Sequence, residues 1–466
     1  MPGTEDEVKK QGHMMTKTQN TQRPLLPLLL LSLTLLPFSS LAGPDIQHWT
    51  TSNGARVYFV PAPDLPMIDV RIVFDAGSAR DAQQPGLAQL TNSLLDAGSG
   101  ELDADQIATL FEQVGARFST TAHRDMAIVE LRSLTDQQLL NPAIDTAAQV
   151  LAVPTFPDTS FERERQRLLV HLQERLQSPD AIATDAFMAA TYEGHPYATP
   201  TPGNATSLKT LQRSDVVNFH RRYYVGRNAT IAIVGAVDRA AAEQLAWTLA
   251  RGLKEGRVAP PLPPATLQPL QPTGSAINNR TIHIEHPSSQ THILIGQPGI
   301  SRDDPDYFPL YVGNHTLGGS GLVSRISEEI REKRGLSYSA YSYFSPMRQQ
   351  GPFMIGLQTR NDKADEALAV VRATLKQFIQ DGPTAKELQE SKQNITGGYP
   401  LRLASNKKIV DMLAMVGFYQ LPLDYMDSFT TRVEAVSIED IREAFKRRLL
   451  PEQMVTVMVG SSSDQP

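Results

Sequence analysis

The chain has 466 residues, of which 41% are hydrophobic and 20% charged, and its formal net charge is −6 at pH 7. These values are typical of globular proteins, and the length suggests roughly two to four domains. The mild charge, without a basic block or an acidic tail, argues against a nucleic-acid-binding protein. Because the sequence contains no cysteine, disulfides, thiol catalysis and thiolate metal sites are excluded.

The N-terminus resembles a secretory signal. A leucine-rich run from Pro24 to Ala42 follows Lys17 and Arg23, and its apolar core is short and interrupted by proline. Ser40-Leu41-Ala42 supplies the small residues that a signal peptidase reads. We therefore predict a signal peptide over residues 1–42, export to a bacterial periplasm and no membrane attachment after cleavage. An uncleaved membrane anchor is the alternative.

Further along the chain, strands and helices alternate. Alternating apolar residues predict strands at 69–74 and 230–235, and a hairpin formed by 116–121 and 126–133. Apolar residues at helical spacing predict helices at 103–114, 160–177 and 214–223. Asp103 and Ser160 are suitable N-cap residues for the first two helices.

A proline-rich segment divides the mature chain into two parts. Five prolines lie between residues 260 and 269, which excludes a helix interior or a central strand. We interpret residues 258–278 as a semi-rigid linker between an N-terminal domain (43–257) and a C-terminal domain (279–466).

The two parts resemble each other. Strands are predicted early in each, at 69–74 and 291–295, and each ends in a helix followed by a strand. Asp215 and Gly235 in the first part are as far apart as Asp440 and Gly460 in the second. Such self-similarity indicates an internal duplication, with chance similarity of two helix–strand units as the alternative. The predicted fold is α+β, with two homologous domains that form a clamshell. Each domain has an antiparallel-rich sheet with helices packed on one face.

Several motifs, taken together, resemble the pitrilysin/insulinase family of zinc metallopeptidases over about residues 46–460. They include Gly86-Leu87-Ala88, Gly194-His195-Pro196-Tyr197 with Gly203, and Gly335-Leu336-Ser337-Tyr338-Ser339. No single motif is specific, but their order and spacing are. The resemblance implies a peptidase fold, peptide substrates and a zinc site on the helix that follows Gly86.

The zinc motif of that family, H-x-x-E-H, is degenerate in this chain. Active members bind the ion with two histidines at i and i+4 on a helix, and the glutamate activates water. The corresponding residues here are Gln89, Asn92 and Ser93, and the third ligand position falls in 169–172, at His171. Amides and a serine hydroxyl are poor zinc ligands, and one histidine does not replace the three good ligands of a catalytic site. We therefore predict no metal in this chain and no catalytic residue acting on its own.

The second half retains another family feature. Active members use an arginine and a tyrosine seven residues apart, and Arg331 and Tyr338 have that spacing. The resemblance implies that the tyrosine stabilises the oxyanion and that the arginine holds a substrate carbonyl. The structural alternative is a solvated Arg331 and a packed Tyr338.

These observations favour a non-catalytic subunit of a periplasmic zinc metallopeptidase. Such a subunit would bind peptide and support an H-x-x-E-H paralogue that carries the zinc, with Arg331 and Tyr338 acting in trans. Whether the chain is part of an enzyme therefore depends on its partner. The alternatives are a stand-alone peptide-binding or scaffold protein and an active metallopeptidase with an unrecognised metal site.

Overall fold

The computed structural model describes residues 45–266 and 280–461. The predicted signal peptide and residues 267–278 of the predicted linker lie outside the described residues. Within the described ranges, no helix combines the length and the apolar character needed to cross a membrane.

Two main sheets and one short ribbon contain the strands. The strands are β1 (Gln47–Thr50), β2 (Arg56–Pro61), β3 (Met67–Phe74), β4 (Gly98–Ser99), β5 (Leu102–Asp103), β6 (Arg117–Ala122), β7 (Ala127–Leu134), β8 (Ala229–Gly235), β9 (Arg280–Glu285), β10 (Gln290–Pro298), β11 (Ala340–Phe344), β12 (Pro352–Arg360) and β13 (Val455–Gly460).

The α-helices lie between these strands along the chain. They are α1 (Leu87–Ser93), α2 (Ala104–Gln113), α3 (Gln137–Ala152), α4 (Asp158–Arg175), α5 (Pro179–Thr191), α6 (Ala205–Thr210), α7 (Arg213–Tyr223), α8 (Arg239–Arg251), α9 (Tyr307–Asn314), α10 (Arg325–Ser327), α11 (Ala364–Asp381), α12 (Ala385–Gly398), α13 (Asn406–Tyr419), α14 (Tyr425–Ala435) and α15 (Ile438–Arg448).

The two sheets share one topology. The first has the order β1-β2-β8-β3-β7-β6, and the second has the order β11-β12-β10-β13-β9. In each sheet one pair is parallel, β2 with β8 and β9 with β13, and the other pairs are antiparallel. If β1 is set aside, the strands correspond one to one in chain order, which supports the internal duplication.

Opposite faces of the first sheet pack against different partners. Val70 and Ile72 of β3 belong to the core that also contains buried residues of α1, α2, α3, α7 and α8. Val73 points to the other face, as expected from the two-residue period of a strand. There it packs with Leu413 and Phe418 of α13, a helix of the second half.

The second sheet is covered in the reciprocal way. Ile293 and Ile295 of β10 face helices of their own half, whereas Leu294 packs with Phe187 and Met188 of α5, a helix of the first half. Each half thus covers the outer face of the other half's sheet with one helix. Both faces of the central strands are buried, and β8 is buried at every residue.

The elements predicted from the sequence are present, with one wrong cap. β8 covers the strand predicted at 230–235, β6 and β7 form the predicted hairpin, and Asp103 caps α2 in a capping box. Ser160, however, does not cap α4, because the helix begins at Asp158 with Pro157 as its N-cap. As predicted, the core helices of each half lie on one face of its sheet. The other face is covered by a helix of the other half.

Candidate functional site

Helix α1, which carries three of the degenerate positions, starts in a fixed turn. Gly86 has φ +93°, and a Cβ there would lie 2.8 Å from the carbonyl oxygen of Pro202, so glycine is required. The buried carboxylate of Asp81 accepts hydrogen bonds from the backbone N–H groups of Gly86 and Ala88, both at 2.7 Å. Burial raises the pKa of Asp81 to about 8, and the two amide bonds oppose that shift.

Asn92, predicted at the position of the family's catalytic glutamate, is part of the core. Its side chain is 1% exposed. The amide oxygen accepts a hydrogen bond from the Tyr224 hydroxyl at 3.0 Å, and the amide nitrogen donates to the carbonyl oxygen of Ile128 at 3.3 Å. Both ends of the amide therefore bond to the surrounding fold.

The side chains of Ser93 and His171, predicted at the second-histidine and third-ligand positions, make contacts within their own helices. The Ser93 hydroxyl donates to the carbonyl oxygen of Gln89 at 2.9 Å, which is a bond back into its own helix. His171 lies on an exposed part of α4, where its Nδ1 is 3.9 Å from a carboxylate oxygen of Glu174. The contacts of Ser93 and His171 are thus local to their own helices.

A cavity of about 590 Å³ lies beside Ser93. On the α4 side it is lined by Ser160, Arg163 and Glu164, and His171 is not among the described residues that line it. The Glu164 carboxylate accepts hydrogen bonds from Arg167 at 2.5 and 2.7 Å. The α4 residues beside Ser93 are therefore those near position 164, several residues before the position at which the sequence spacing placed the third ligand.

The donor set at these positions does not fit a zinc ion. Asn92 uses its amide oxygen and nitrogen in the core, and Ser93 uses its hydroxyl in the helix. Zinc in proteins is held by thiolates, imidazoles and carboxylates. Within residues 45–266 and 280–461, no group of three or more His, Cys, Asp or Glu side chains is arranged to hold a metal ion.

Arg331 and Tyr338, by contrast, lie together on the surface of the second half. The guanidinium carbon of Arg331 is 4.9 Å from the centre of the Tyr338 ring, within the range of a cation–π contact. The Tyr338 side chain is 83% exposed. Arg331 also lies beside the exposed carboxylate of Glu332, with Nε 3.4 Å from its oxygen. Tyr338 is therefore an exposed residue beside Arg331 and does not pack in the sheet.

The backbone around Tyr338 is anchored on both sides. Leu336 and Ala340 are each 6% exposed, and the carbonyl oxygen of Leu336 accepts a hydrogen bond from Thr359 at 2.5 Å. The Ser337 hydroxyl donates to the carbonyl oxygen of Ser339 at 2.7 Å. These contacts hold the tyrosine outward on a fixed turn between α10 and β11.

The start of the same segment is fixed by an ion pair. Arg325 of α10 donates two hydrogen bonds of 2.6 Å to the Glu387 carboxylate of α12. Burial alone would raise the pKa of Glu387, but the bonds from Arg325 and Thr384 lower it to about 2. The pair therefore remains charged at neutral pH and holds α10 against α12.

The His-Pro-Tyr motif joins the two halves. Tyr197 is fully buried, and its hydroxyl donates to Asp125 at 2.6 Å. The other oxygen of Asp125 accepts the backbone N–H of Arg348 from the second half at 2.7 Å. His195 bonds through Nε2 to the carbonyl oxygen of Pro263 at 2.9 Å, so this motif has a structural role.

Several of these contacts could not be found from the sequence. Tyr224 lies 132 positions from Asn92, and Glu387 lies 62 positions from Arg325. Neither pair has a local motif. For Asp81, the only sequence signal is its position just before the Gly86-Leu87-Ala88 turn.

Family models match both halves of the chain. The model described as Insulinase (Peptidase family M16) matches residues 57–204, and the model described as Peptidase M16 inactive domain matches residues 210–395.

Individual relatives match nearly the whole chain. A crystal structure of the peptidase M16 inactive domain from Pseudomonas fluorescens is 38% identical with a TM-score of 0.85, over 90% of this chain and 99% of that one. The "Uncharacterized zinc protease YmxG" of Bacillus subtilis (strain 168) is 22% identical, over 90% of this chain and 100% of the relative. The "Non-peptidase homolog YmxG" of Helicobacter pylori (strain ATCC 700392 / 26695) is 24% identical, over 90% and 94%.

Proposed function

Because the chain belongs to peptidase family M16, we propose that it is the non-catalytic subunit of a two-chain zinc metallopeptidase. Its partner would be a paralogue with an intact H-x-x-E-H motif, and the complex would act on peptides in the periplasm. The proposed location rests on the N-terminal leader sequence, which lies outside the described residues.

One observation carries this proposal: the first half lacks the side chains of a zinc site, whereas the second half has an exposed arginine–tyrosine pair. In the first half, Asn92 and Ser93 are bonded into the core and the helix. In the second half, Arg331 and Tyr338 lie in contact and face solvent. A tyrosine required only for packing would be buried, so its 83% exposure on an anchored turn favours a role toward another molecule.

The chemistry available to the pair is hydrogen-bond donation to a developing negative charge. The Tyr338 hydroxyl would donate to the oxyanion that forms when water attacks a peptide carbonyl, and Arg331 would hold a neighbouring carbonyl. Zinc on the partner would supply the activated water. These roles follow from the family resemblance, and the contact between the two side chains is compatible with them.

The surrounding surface suits a protein partner. Leu322 and Val323, which precede α10, are 61% and 85% exposed. Exposed apolar side chains in a segment that also carries arginine and tyrosine are typical of the centre of an interface. A paralogous subunit that covers this segment would place its own active site near Tyr338.

The test is reconstitution with the H-x-x-E-H paralogue from the same genome. The purified chain, the paralogue and their mixture are compared for zinc content, co-elution and cleavage of a quenched peptide library. We expect zinc on the paralogue, a complex of the two chains and activity of the mixture. Removal of one oxyanion donor typically costs about a hundredfold or more in kcat, so we expect a loss of that order in Tyr338→Phe.

The matched control is Arg360→Ala, which removes an exposed arginine from the end of β12. It should leave the activity unchanged, whereas Arg331→Ala should lower it. Full activity of Arg331→Ala combined with Tyr338→Phe would reject the assigned roles. Peptide binding without a complex would favour the stand-alone binding protein, and chelator-sensitive cleavage by the chain alone would favour the unrecognised metal site.

A further inference from the structure

A cavity of about 480 Å³ lies at the junction of the two halves. The first half contributes Arg56 at the start of β2 and the residues that follow β3, and the second half contributes Arg348, Gln349 and Gln420. Linker residues 258–262 form a further wall. A molecule bound there would therefore contact both halves and the segment that connects them.

The cavity is lined by more positive than negative charge. Four guanidinium groups, those of Arg56, Arg80, Arg227 and Arg348, line it together with one described carboxylate, that of Asp75. Arg80 uses both oxygens of Asp75, at 2.7 and 2.8 Å. Two of the four arginines are thus neutralised, because Arg227 forms an ion pair with the exposed carboxylate of Glu255.

Arg56 and Arg348 are incompletely paired. Arg56 donates one hydrogen bond to the Thr230 hydroxyl at 2.8 Å and forms no ion pair with any described residue. Nη2 of Arg348 donates to the carbonyl oxygen of Phe418 at 3.2 Å, and its guanidinium lies over the Phe418 ring. Its Nε is 3.3 Å from an oxygen of Asp75 but is buried without a hydrogen-bond partner in the described chain. Burial lowers the pKa of Arg56, and the positive charge of Arg348 contributes to lowering it.

The opposite wall is apolar and held in place. Val258, Pro260, Pro261 and Leu262 line it. The carbonyl oxygen of Pro260 accepts a hydrogen bond from Arg80 at 2.5 Å, and that of Leu262 accepts one from Gln349 at 3.2 Å. Residues that line the cavity therefore hold two carbonyl groups of this wall in place.

We propose that this cavity binds a small organic anion whose phosphate or carboxylate group lies between Arg56 and Arg348. Oxyanions match the planar donor fork of arginine and form strong charge-assisted bonds with it. The volume suits a small molecule whose apolar body packs against the proline wall. The site does not depend on the proposed peptidase function, since neither Arg331 nor Tyr338 takes part in it.

The experiment is calorimetric titration of the full chain with two probes of matched body, phenyl phosphate and benzoate. We expect saturable binding of at least one probe at one site per chain, with a higher thermal midpoint because the ligand binds the folded state. Binding of phenyl phosphate alone assigns the phosphate class, and binding of benzoate alone assigns the carboxylate class. Absence of saturable binding for both overturns the proposal.

Variants locate the site. Arg56→Gln should weaken the binding about tenfold or more, the loss expected for a charged hydrogen bond. Arg56→Lys, which keeps the charge without the fork, should weaken it less and serves if Arg56→Gln does not fold. Arg360→Gln removes an exposed arginine elsewhere and should leave the affinity unchanged. Equal affinity in the wild type and in the folded Arg56 variants would overturn the proposal.

Discussion

Replacement of Asn92 by alanine tests whether the residue predicted at the family's catalytic-glutamate position is part of the core. The substitution removes the acceptor of the Tyr224 hydroxyl and the donor to the carbonyl oxygen of Ile128. A buried hydroxyl left without a partner costs about 1–3 kcal/mol, and the longer bond to Ile128 contributes less. We therefore expect Asn92→Ala to lower the free energy of unfolding by about 2–3 kcal/mol.

A double-mutant cycle separates the hydrogen bond from the loss of packing. Tyr224→Phe removes the hydroxyl and should cost about 1 kcal/mol. In that background, Asn92→Ala no longer leaves the hydroxyl unpaired, so its cost should fall by about 1 kcal/mol, which is the coupling energy. Urea unfolding of the four proteins gives these values from the shifts in midpoint, provided that the slope is constant.

Ser93→Ala is the matched control on the same helix. The Ser93 hydroxyl bonds to carbonyl groups of α1, so its removal should change the stability by no more than about 0.5 kcal/mol. If Asn92→Ala is as stable as Ser93→Ala, or if the coupling to Tyr224 is zero, the structural role of Asn92 is refuted.

Three further predictions concern stability. Burial lowers the pKa of His220 from 6.5 to about 4. The contribution of neutral His220 to the free energy of unfolding is therefore complete above pH 6.5 and falls by about 3 kcal/mol as the pH drops to 4. In urea unfolding across this range, the free energy of unfolding of His220→Gln should depend less on pH than that of the wild type. Leu413→Ala, in the helix that covers the first sheet, should cost about 2–5 kcal/mol, whereas Leu401→Ala at a site 67% exposed should cost little in the same assay. Gly86→Ala should lower the thermal midpoint because of its positive φ and the contact with Pro202, whereas Gly397→Ala, with open space in a helix, should raise it.

Local patterns predicted the elements and one long-range feature. The alternation in residues 230–235 predicted β8, and the matching ends of the two halves predicted an internal duplication, which the shared sheet topology supports. The seven-residue spacing of Arg331 and Tyr338 led to two side chains that are in contact. In each case the signal lies in one segment or in the repetition of a segment.

Contacts between distant segments could not be predicted in this way. The bond between Tyr224 and Asn92 depends on the packing of α7 against α1, and a single sequence does not specify which helix faces meet. Packing also decides which residues of α4 lie near Ser93. The family's spacing placed the third ligand at His171, whereas Ser160 and Glu164 line the cavity beside Ser93. The helix on the second face of each sheet comes from the other half, and the apolar pattern of β8 is the same whichever helix covers it.

Because each half covers the other half's sheet with a helix, neither half should be stable during synthesis or as an isolated fragment without the other. The outer face of the first sheet is covered by residues 406–419, near the end of the chain. A nascent chain that stops at the linker therefore presents a bare apolar sheet surface, which invites aggregation. Expression of residues 43–257 alone should give insoluble material, and co-expression of the two fragments should restore solubility by complementation.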